Sequence, residues 1–333
     1  MSVKVGINGF GRMGRLFLRA AWARNDLEFV QVNETACGGE TSVHLLKFDS
    51  IHGTWERLCR GDPGQMIIDG RAVKHSSTNA IGDVDWSGCD IVIESTGIHH
   101  KQPELLNGYF EQGVKKVLVA APTEGALNIV YGINHMDYDP NRHNLVTAAS
   151  CTTNCLAPVV KVMHEQIGIL RGSITTIHGI TNTQTILDSG HKDLRRARAC
   201  GQSLIPTTTG SAKAITKIFP ELDGKLNGHA IRVPVVNASI TDFVFEAARA
   251  VTADEVNTHF RAAAAGELEG ILGYEEQPLV SIDYLNDPRS SIVDALSTLV
   301  VDDTHVKIYA WYDNEWGYVC RMADIASMLA ARL

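Results

Sequence analysis

The segment Val3-Lys-Val-Gly-Ile-Asn-Gly-Phe-Gly-Arg-Met-Gly14 decides the fold of the first part of this chain. Its first five residues are typical of a short apolar strand, and Gly9, Gly11 and Gly14 follow with the spacing G-x-G-x-x-G. An amphipathic helical pattern comes next, and a second apolar run ends at Asn33-Glu34. A glycine turn between a strand and a helix, with an acid about 20 residues later, is the dinucleotide-binding fingerprint.

This fingerprint has a physical basis. Glycines let backbone N–H groups approach a pyrophosphate at the N-terminus of the helix, and the carboxylate of Glu34 can accept from ribose hydroxyls. We therefore expect NAD as cofactor, with Glu34 and these residues of the turn as its contacts: Asn8, Gly9, Phe10, Gly11, Arg12, Met13 and Gly14. The competing interpretation is a glycine-rich turn that holds no ligand.

Two further apolar runs, in residues 90–97 and 116–122, are typical of buried parallel strands. Short strands that alternate with helices predict an α/β fold with a Rossmann-type, doubly wound parallel sheet. Ligands bind at the carboxyl ends of the strands in such sheets. We place Thr96, Gly97 and Ala120 at that edge as further cofactor contacts.

The pattern changes after residue 150. Alternation with a period of two marks four later segments, which are residues 173–178, 231–235, 240–245 and 306–312. It predicts an α+β domain with a mostly antiparallel sheet, half covered by helices. A polar loop, residues 179–201, is long enough to indicate a functional role, and the chain ends in an amphipathic helical pattern. We expect a dinucleotide-binding domain of residues 1–150 and 316–333, and a catalytic domain of residues 151–315.

The candidate nucleophile lies in Ser150-Cys151-Thr-Thr-Asn-Cys155. An extended apolar run precedes this segment and a helical pattern follows, so Cys151 is predicted at a helix N-terminus. Unpaired N–H groups and the helix dipole favour a thiolate there. A pKa depression of ~2 units, roughly 2.7 kcal/mol, would leave the thiol mostly ionised at pH 7. An inert buried thiol is the alternative, and the hydroxyl-rich flank argues against it.

Composition excludes other classes of function. The chain has 333 residues and a net charge of −8, which gives no electrostatic footprint for nucleic acid or an anionic membrane. No apolar run approaches the roughly 20 residues of a membrane span, and we expect no signal peptide before the first strand. The seven cysteines are scattered, without a second Cys or His pair at zinc spacing, so we expect no metal site and a reduced, cytoplasmic protein.

The segment Ala149-Ser-Cys-Thr-Thr-Asn-Cys-Leu-Ala-Pro158 resembles the active-site segment of the phosphorylating glyceraldehyde-3-phosphate dehydrogenase family. The resemblance runs from Val5 to the C-terminal helical pattern. It implies oxidation of glyceraldehyde 3-phosphate by NAD, with inorganic phosphate as acyl acceptor and a thioester on Cys151. It also implies His178 as general base and a homotetramer in which the polar loop reaches across a subunit interface.

The resemblance further implies sites for anions and for the nicotinamide. Thr181 and Arg232 match the site for the phosphate of the aldehyde. The site for attacking inorganic phosphate is matched by Ser150, Thr152, Thr209 and Gly210. Asn314 matches the residue that hydrogen-bonds the nicotinamide carboxamide.

Several departures from the family pattern leave alternatives open. Glu34 stands where Asp is usual, and Ser189-Gly190 replaces a common Leu-Pro, so NADP is an alternative cofactor. Erythrose-4-phosphate dehydrogenases share this Glu and the run at residues 193–198. The segment 173–184 is similar to paralogues from arsenic-resistance operons, for which arsenate would replace phosphate. A nucleotide-binding regulatory protein is the non-enzymatic alternative, against which stands the intact set Cys151, His178, Arg232 and Asn314.

Overall fold

The computed structural model describes residues 2–333 and divides into two compact units. The first unit runs up to Ser150 and takes up the chain again from Val319 to Leu333, and the second runs from Cys151 to Tyr318. The helices are α1 (Arg12–Ala21), α2 (Gly39–Lys47), α3 (Asn107–Phe110), α4 (Cys151–Gln166), α5 (Ser211–Ile218), α6 (Ala253–Ala264) and α7 (Trp316–Ala330).

The strands of the first unit are β1 (Val3–Asn8), β2 (Leu27–Asn33), β3 (Phe48–Asp49), β4 (Gly53–Thr54), β5 (Cys59–Asp62), β6 (Gln65–Ile68), β7 (Arg71–Ser76), β8 (Ile91–Glu94), β9 (Lys116–Val119), β10 (Leu127–Asn128) and β11 (Leu145–Thr147). The strands of the second unit are β12 (Ile169–His178), β13 (Ile205–Thr208), β14 (Leu226–Arg232), β15 (Ser239–Ala247), β16 (Leu272–Glu275), β17 (Ser291–Asp294), β18 (Leu299–Val301) and β19 (His305–Tyr312).

Within the described residues, the first unit is built on a nine-stranded sheet in the order β10-β11-β9-β8-β1-β2-β7-β6-β5. The strands from β10 to β7 pair in parallel, which confirms the predicted doubly wound sheet. The pairs β5-β6 and β6-β7 are antiparallel, and the sequence analysis did not predict this extension.

Buried apolar side chains of the strands and of the helix that follows β1 explain the stability of this sheet. Val5 and Ile7 of β1 are fully buried, as are Leu16 and Phe17 of α1. Burial of each such side chain contributes about 1.5–3 kcal/mol. The carboxyl ends of β1, β2 and β8 meet because the Gly9 N–H donates to the Asn33 carbonyl and the Ser95 N–H donates to the Asn8 carbonyl.

Among the described residues of the second unit, eight strands form one sheet in the order β13-β14-β12-β15-β19-β17-β16, with β18 beside β19. Most pairs are antiparallel, as predicted, whereas β12-β14 and β16-β17 are parallel. The predicted strand at residues 231–235 is wrong at both ends, since β14 begins at Leu226 and stops at Arg232. Pro234 explains the stop, because proline has no N–H to donate to a neighbouring strand.

The helix α4 packs against α5, α6 and β17 within the second unit. The polar loop that precedes β13 contains neither helix nor strand from residue 179 to residue 199, as expected. Across residues 2–333, no helix has the length and apolar character that a membrane crossing requires.

Candidate functional site

Cys151 is the first residue of α4, so the candidate nucleophile lies at the predicted helix N-terminus, and Ser150 directly precedes it. Ala149 has a φ of 53°, in the left-handed region that side chains with a Cβ rarely adopt. This conformation costs roughly 1 kcal/mol, and the Ala149 N–H donates to the Thr147 hydroxyl at 2.9 Å. The backbone thus turns sharply just before the nucleophile.

His178 is the last residue of β12, and its Nε2 lies 3.5 Å from the Cys151 sulfur. Its Nδ1 lies 2.7 Å from both the Gly179 carbonyl oxygen and the Arg232 Nη1. A neutral imidazole carries one N–H. Nδ1 therefore either donates to Gly179 or accepts from Arg232, and the second arrangement directs an Nε2–H at the sulfur.

Burial affects the pKa of both members of this pair. Burial, together with the neighbouring Arg232 guanidinium, lowers the pKa of His178 to about 3, so the ring is neutral at pH 7. Burial also raises the pKa of the Cys151 thiol, which Arg232 and the first N–H groups of α4 lower only in part. Burial therefore opposes the thiolate that the helix N-terminus is expected to favour. Desolvation acts on both side chains in the same sense, because it disfavours the charged form of the thiol and of the imidazole.

Arg232 ends β14 directly opposite His178 in the parallel register. Its Nη1 also donates to the Gly179 carbonyl, at 3.1 Å. Its Nε is buried and has no hydrogen-bond partner within residues 2–333. Arg196 adds a second positive charge nearby. A half-buried guanidinium with an unused, buried N–H donor favours a bound anion, because carboxylates and phosphates accept two parallel hydrogen bonds from an arginine.

The polar loop supplies hydroxyl groups to the same unit. The hydroxyls of Thr181 and Thr183 lie 2.9 Å apart, and the Thr181 N–H donates to the Gln184 side chain at 3.2 Å. Arg196 is held by its Nε, which donates to the Thr207 hydroxyl at 2.9 Å. The sequence analysis missed Thr183 and Arg196 as site candidates. Their position in a long loop rich in Thr and Arg was the available signal.

The predicted site for inorganic phosphate uses the N-termini of α4 and α5. Gly210 is the N-cap of α5, and the Ser211 N–H donates to the Thr209 hydroxyl at 3.2 Å. The Thr152 hydroxyl is buried 2.9 Å from the Tyr312 hydroxyl, which also lies 2.8 Å from the Thr176 hydroxyl. The Thr152 side chain is therefore part of a buried hydroxyl chain, which sequence reasoning missed because Tyr312 is distant along the chain.

Asn314 is oriented by a neighbouring serine. The Ser239 hydroxyl donates to the Asn314 Oδ1 at 2.7 Å and accepts from the Gly179 N–H at 3.1 Å. Because the oxygen of the amide is engaged, its Nδ2 group is the part that can donate to a ligand.

A pocket of ≈ 340 Å³ lies at the carboxyl ends of β1, β2 and β8 in the first unit. The predicted cofactor residues that line it are Asn8, Gly9, Phe10, Gly11, Glu34 and Thr96. Further residues line the pocket that were not among the predicted cofactor contacts, which are Arg15, Asn33, Thr35, Ala36, Cys37, Leu45, Thr78, Asn79, Ser95, Ile98 and His99. Most of these residues follow β2, β7 or β8. They reach the pocket because of the order of the strands in the sheet, which no local sequence motif specifies.

The other predicted cofactor residues of the first unit are not among the residues that line this pocket. Arg12 is bound to Asp49 by an ion pair of 2.7 Å. Met13 lies in the first turn of α1, and Gly97, with a φ of 73°, lies in the turn after β8. The Ala120 N–H donates to the Glu94 carbonyl at 2.8 Å, directly after β9.

The glycine turn fits a bound dinucleotide. A Cβ on Gly9, whose φ is 88°, would lie 2.5 Å from the Thr96 nitrogen, and one on Gly14 would lie 2.2 Å from the Gly9 oxygen. At Gly11 no atom of the described residues comes within 4 Å of that position, so a phosphate can approach the backbone there. The Glu34 carboxylate accepts from the N–H groups of Phe10 (2.8 Å) and Ala36 (2.9 Å). Its remaining lone pairs are available to ribose hydroxyls.

Asn8 supports the pocket through its side chain. The Asn8 Nδ2 donates to the Tyr109 hydroxyl at 2.6 Å and to the Glu94 carboxylate at 3.2 Å. Its Oδ1 accepts from the Asn33 Nδ2 at 2.8 Å. The side chain thus joins the ends of three strands, which leaves the backbone of Asn8 as the part that faces a cofactor. Within residues 2–333, no group of three or more His, Cys, Asp and Glu residues is placed to hold a metal ion.

Comparison with known proteins finds similarity across both units. Residues 150–314 match the family described as "Glyceraldehyde 3-phosphate dehydrogenase, C-terminal domain". Residues 3–102 match "Glyceraldehyde 3-phosphate dehydrogenase, NAD binding domain". Glyceraldehyde-3-phosphate dehydrogenase 3 of Nostoc sp. is 59% identical over 337 residues, covering 100% of both chains. The Geobacillus stearothermophilus glyceraldehyde-3-phosphate dehydrogenase is 49% identical, covering 100% of this chain and 99% of the relative.

Proposed function

This chain belongs to the glyceraldehyde-3-phosphate dehydrogenase family, and from that premise we propose that it works through a thioester on Cys151 with His178 as general base. The chain is an NAD-dependent dehydrogenase, and its reaction is the oxidative phosphorylation of glyceraldehyde 3-phosphate. The observation that carries the proposal is the distance of 3.5 Å between the Cys151 sulfur, at a helix N-terminus, and the His178 Nε2. Cysteine next to a neutral histidine is an established solution for thiol activation.

In the first step, the Cys151 sulfur attacks the aldehyde carbon and a C–S bond forms. When the His178 Nδ1 donates to the Gly179 carbonyl, Nε2 carries no proton, so it can take the thiol proton and pass it to the former carbonyl oxygen, which gives a hemithioacetal. The Cys151 N–H, at the start of α4, supports the negative charge that develops on that oxygen.

In the second step, His178 removes the hydroxyl proton while the C–H bond breaks, and the product is a thioester on Cys151. NAD, when bound, accepts the hydride. Inorganic phosphate then attacks the thioester carbon, the C–S bond breaks, and Cys151 leaves as thiolate. The acyl phosphate formed is 1,3-bisphosphoglycerate.

Arg232 links substrate binding to the strength of the base. A histidine with a pKa of about 3 is a poor proton acceptor at pH 7. A substrate phosphate bound to Arg232 would offset the positive charge that now depresses the His178 pKa, and the pKa would rise. His178 would then gain basicity when the correct, phosphorylated aldehyde is present.

The two anions occupy separate parts of the second unit in this proposal. The aldehyde phosphate binds to hydroxyls of Thr181 and Thr183 and to the guanidinium groups of Arg196 and Arg232. The acceptor phosphate binds at the two helix N-termini, near Ser150, Thr152, Thr209 and Gly210. Arsenate has the charge and tetrahedral shape of phosphate, so we propose that it also serves as acceptor and gives the 1-arseno product.

The organisation of the chain completes the proposal. Residues 1–150 and 316–333 form the NAD-binding domain, residues 151–315 form the catalytic domain, and Asn314 donates its Nδ2–H to the nicotinamide carboxamide. A homotetramer is supported by four highly exposed apolar side chains in and beside the polar loop, which are Ile186, Leu187, Leu194 and Leu204. A reduced, cytoplasmic location is supported by the free state of all seven cysteines, each of which lies within residues 2–333.

The test is an NADH absorbance assay with glyceraldehyde 3-phosphate, first without phosphate and then with phosphate restored. A thioester mechanism predicts one rapid burst of NADH per active site without phosphate, followed by steady turnover when phosphate or arsenate is added. Steady turnover without either anion would show hydrolysis and contradict the proposal. Size-exclusion chromatography with light scattering tests the tetramer.

A further inference from the structure

Cys37, Ser42 and His75 form a hydrogen-bonded row at the rim of the dinucleotide pocket. The Cys37 sulfur lies 3.5 Å from the Ser42 Oγ, which lies 2.9 Å from the His75 Nε2. Ser42 and His75 are buried, whereas Cys37 is half-buried and lines the pocket. The reaction proposed above uses none of these three side chains.

The protons of this row can be arranged so that each group donates toward His75. Burial lowers the pKa of His75, an effect that nearby Glu34 only partly opposes, so the ring is neutral at pH 7. A neutral Nε2 can accept the Ser42 hydroxyl proton, and the Ser42 oxygen can then accept from the Cys37 thiol. The three groups thus form a path for a proton from a thiol, at the pocket surface, to a buried base.

The wall of the pocket beside this row carries a positive charge. Arg15 lines the same pocket, and its Nη1 donates to the Phe10 carbonyl at 2.8 Å. Cys37 lies close enough to Arg15 for a charge on the thiol to interact with the guanidinium. An anionic reagent that enters the pocket therefore meets a guanidinium next to the thiol.

We propose that Cys37, with Ser42 and His75, is a second reactive-thiol site that forms mixed disulfides with small anionic disulfides such as glutathione disulfide. The inference rests on the placement of NAD in this pocket, because a glutathionyl group on Cys37 would occupy cofactor space. Modification and NAD binding are therefore mutually exclusive.

The chemistry is thiol–disulfide exchange. The Cys37 proton moves to Ser42 as the Ser42 proton moves to the His75 Nε2, and the thiolate attacks one sulfur of the disulfide. A new S–S bond forms, the S–S bond of the reagent breaks, and one glutathione leaves as thiolate and is then protonated. Cys37 is oxidised and one half of the reagent is reduced, so no other oxidant is needed.

The test uses full-length protein with Cys151→Ser, so that the proposed catalytic thiol cannot react and the outcome is independent of the catalytic mechanism. Glutathione disulfide is the probe, and peptide mass spectrometry follows each cysteine with time. We expect Cys37 to react at least about 10-fold faster than the half-buried Cys59 and Cys320, because Ser42 and His75 can accept the proton of the Cys37 thiol. Saturating NAD should slow this reaction, and the modified protein should bind NADH at least about 10-fold more weakly, judged by fluorescence, until dithiothreitol restores binding.

Two variants in the same background make the test specific. Ser42→Ala interrupts the row and should slow modification of Cys37 by about 10-fold, without an effect on Cys59 or Cys320. In Cys37→Ser, NADH binding should become insensitive to glutathione disulfide. Equal rates at the three cysteines, an unchanged rate in Ser42→Ala, or unchanged NADH binding after modification of Cys37 would overturn the proposal.

Discussion

His178 and Arg232 are direct register partners at the ends of the parallel strands β12 and β14, with the His178 Nδ1 2.7 Å from the Arg232 Nη1. The pairing puts a fixed positive charge against the ring that faces the Cys151 sulfur from its other side. Both side chains are largely withdrawn from water, so the charge acts with little screening. The basicity of His178 therefore depends on what neutralises Arg232.

Replacement of Arg232 by leucine should separate these effects. Arg232→Leu should raise KM and lower kcat for glyceraldehyde 3-phosphate, since binding energy from the phosphate also positions the carbonyl. Activity with unphosphorylated glyceraldehyde should fall much less, because that substrate has no phosphate to bind. Steady-state kinetics with both aldehydes provide the measurement.

Arg232→Lys is the matched control, as it keeps the charge and loses the planar fork. It should retain more activity on the phosphorylated aldehyde than Arg232→Leu. Equal losses on the two substrates in Arg232→Leu would assign the residue a structural role instead.

His178→Asn should slow hydride transfer by roughly 10²- to 10⁴-fold, the range for loss of a general base. Stopped-flow measurement of the NADH burst reports this step directly. Because His178 is neutral, alkylation of Cys151 by iodoacetamide should follow a thiol pKa that burial raises, so inactivation of the wild type should accelerate only at alkaline pH. A pH profile that is already flat at neutral pH would show that Cys151 is a thiolate after all.

Tyr312→Phe should destabilise the second unit by about 1–3 kcal/mol, because the buried hydroxyls of Thr152 and Thr176 both lose a partner. Urea unfolding followed by circular dichroism measures the change. Tyr284→Phe is the control, since the Tyr284 hydroxyl makes no hydrogen bond within residues 2–333 and its ring, like that of Tyr312, is buried. Similar losses of unfolding free energy in the two variants would show that the hydrogen bonds of the Tyr312 hydroxyl add no stability.

Asp49 should make the free energy of unfolding of the first unit depend on pH in the acid range. Burial alone would raise its pKa, but hydrogen bonds from the His52 N–H, Arg12 and the Ile51 N–H lower it to about 2. A carboxyl group with a depressed pKa stabilises the fold above its unfolded pKa of about 4, by about 2 kcal/mol, and loses this contribution as the pH falls toward 2.

Asp49→Asn should therefore be less stable than the wild type by about 2 kcal/mol at neutral pH, and the difference should shrink between about pH 4 and pH 2. Urea unfolding at several pH values tests this. Asp62→Asn removes an exposed partner of Arg60 and should change stability by less than about 1 kcal/mol. A difference between Asp49→Asn and wild type that does not vary with pH would contradict the assignment.

Local patterns were sufficient to predict most of the fold. The glycine turn after β1 predicted the parallel sheet, and Ser150-Cys151 predicted the start of α4, because each is specified by residues adjacent in sequence. The antiparallel extension β5-β6-β7 was not predicted, since its strands are short and alternate weakly. The end of β14 was misplaced because apolar alternation continues past Arg232 while Pro234 cannot pair.

The charges of the site could not be derived from the sequence. Spacing can place Cys151 at a helix N-terminus, but only the fold shows that burial opposes the effect of the dipole. The effect of Arg232 on His178 depends on strand register across 54 residues, which no local pattern specifies. The same holds for Ser42 and His75, which are 33 residues apart and meet beside the pocket.

The last prediction concerns cofactor choice, which depends on Glu34. Both carboxylate oxygens are held by backbone N–H groups, so Glu34 is fixed at the pocket and cannot swing aside without losing two hydrogen bonds. The 2′-phosphate of NADP would meet this charge, and NAD should be strongly preferred. Glu34→Gln keeps the size and one acceptor oxygen but removes the charge, so it should narrow the NAD/NADP ratio of kcat/KM mainly by improving NADP. Glu34→Ala also releases the Phe10 N–H and should weaken NAD as well. A wild-type enzyme that favours NADP, or an unchanged ratio in Glu34→Gln, would show that other pocket residues decide the choice.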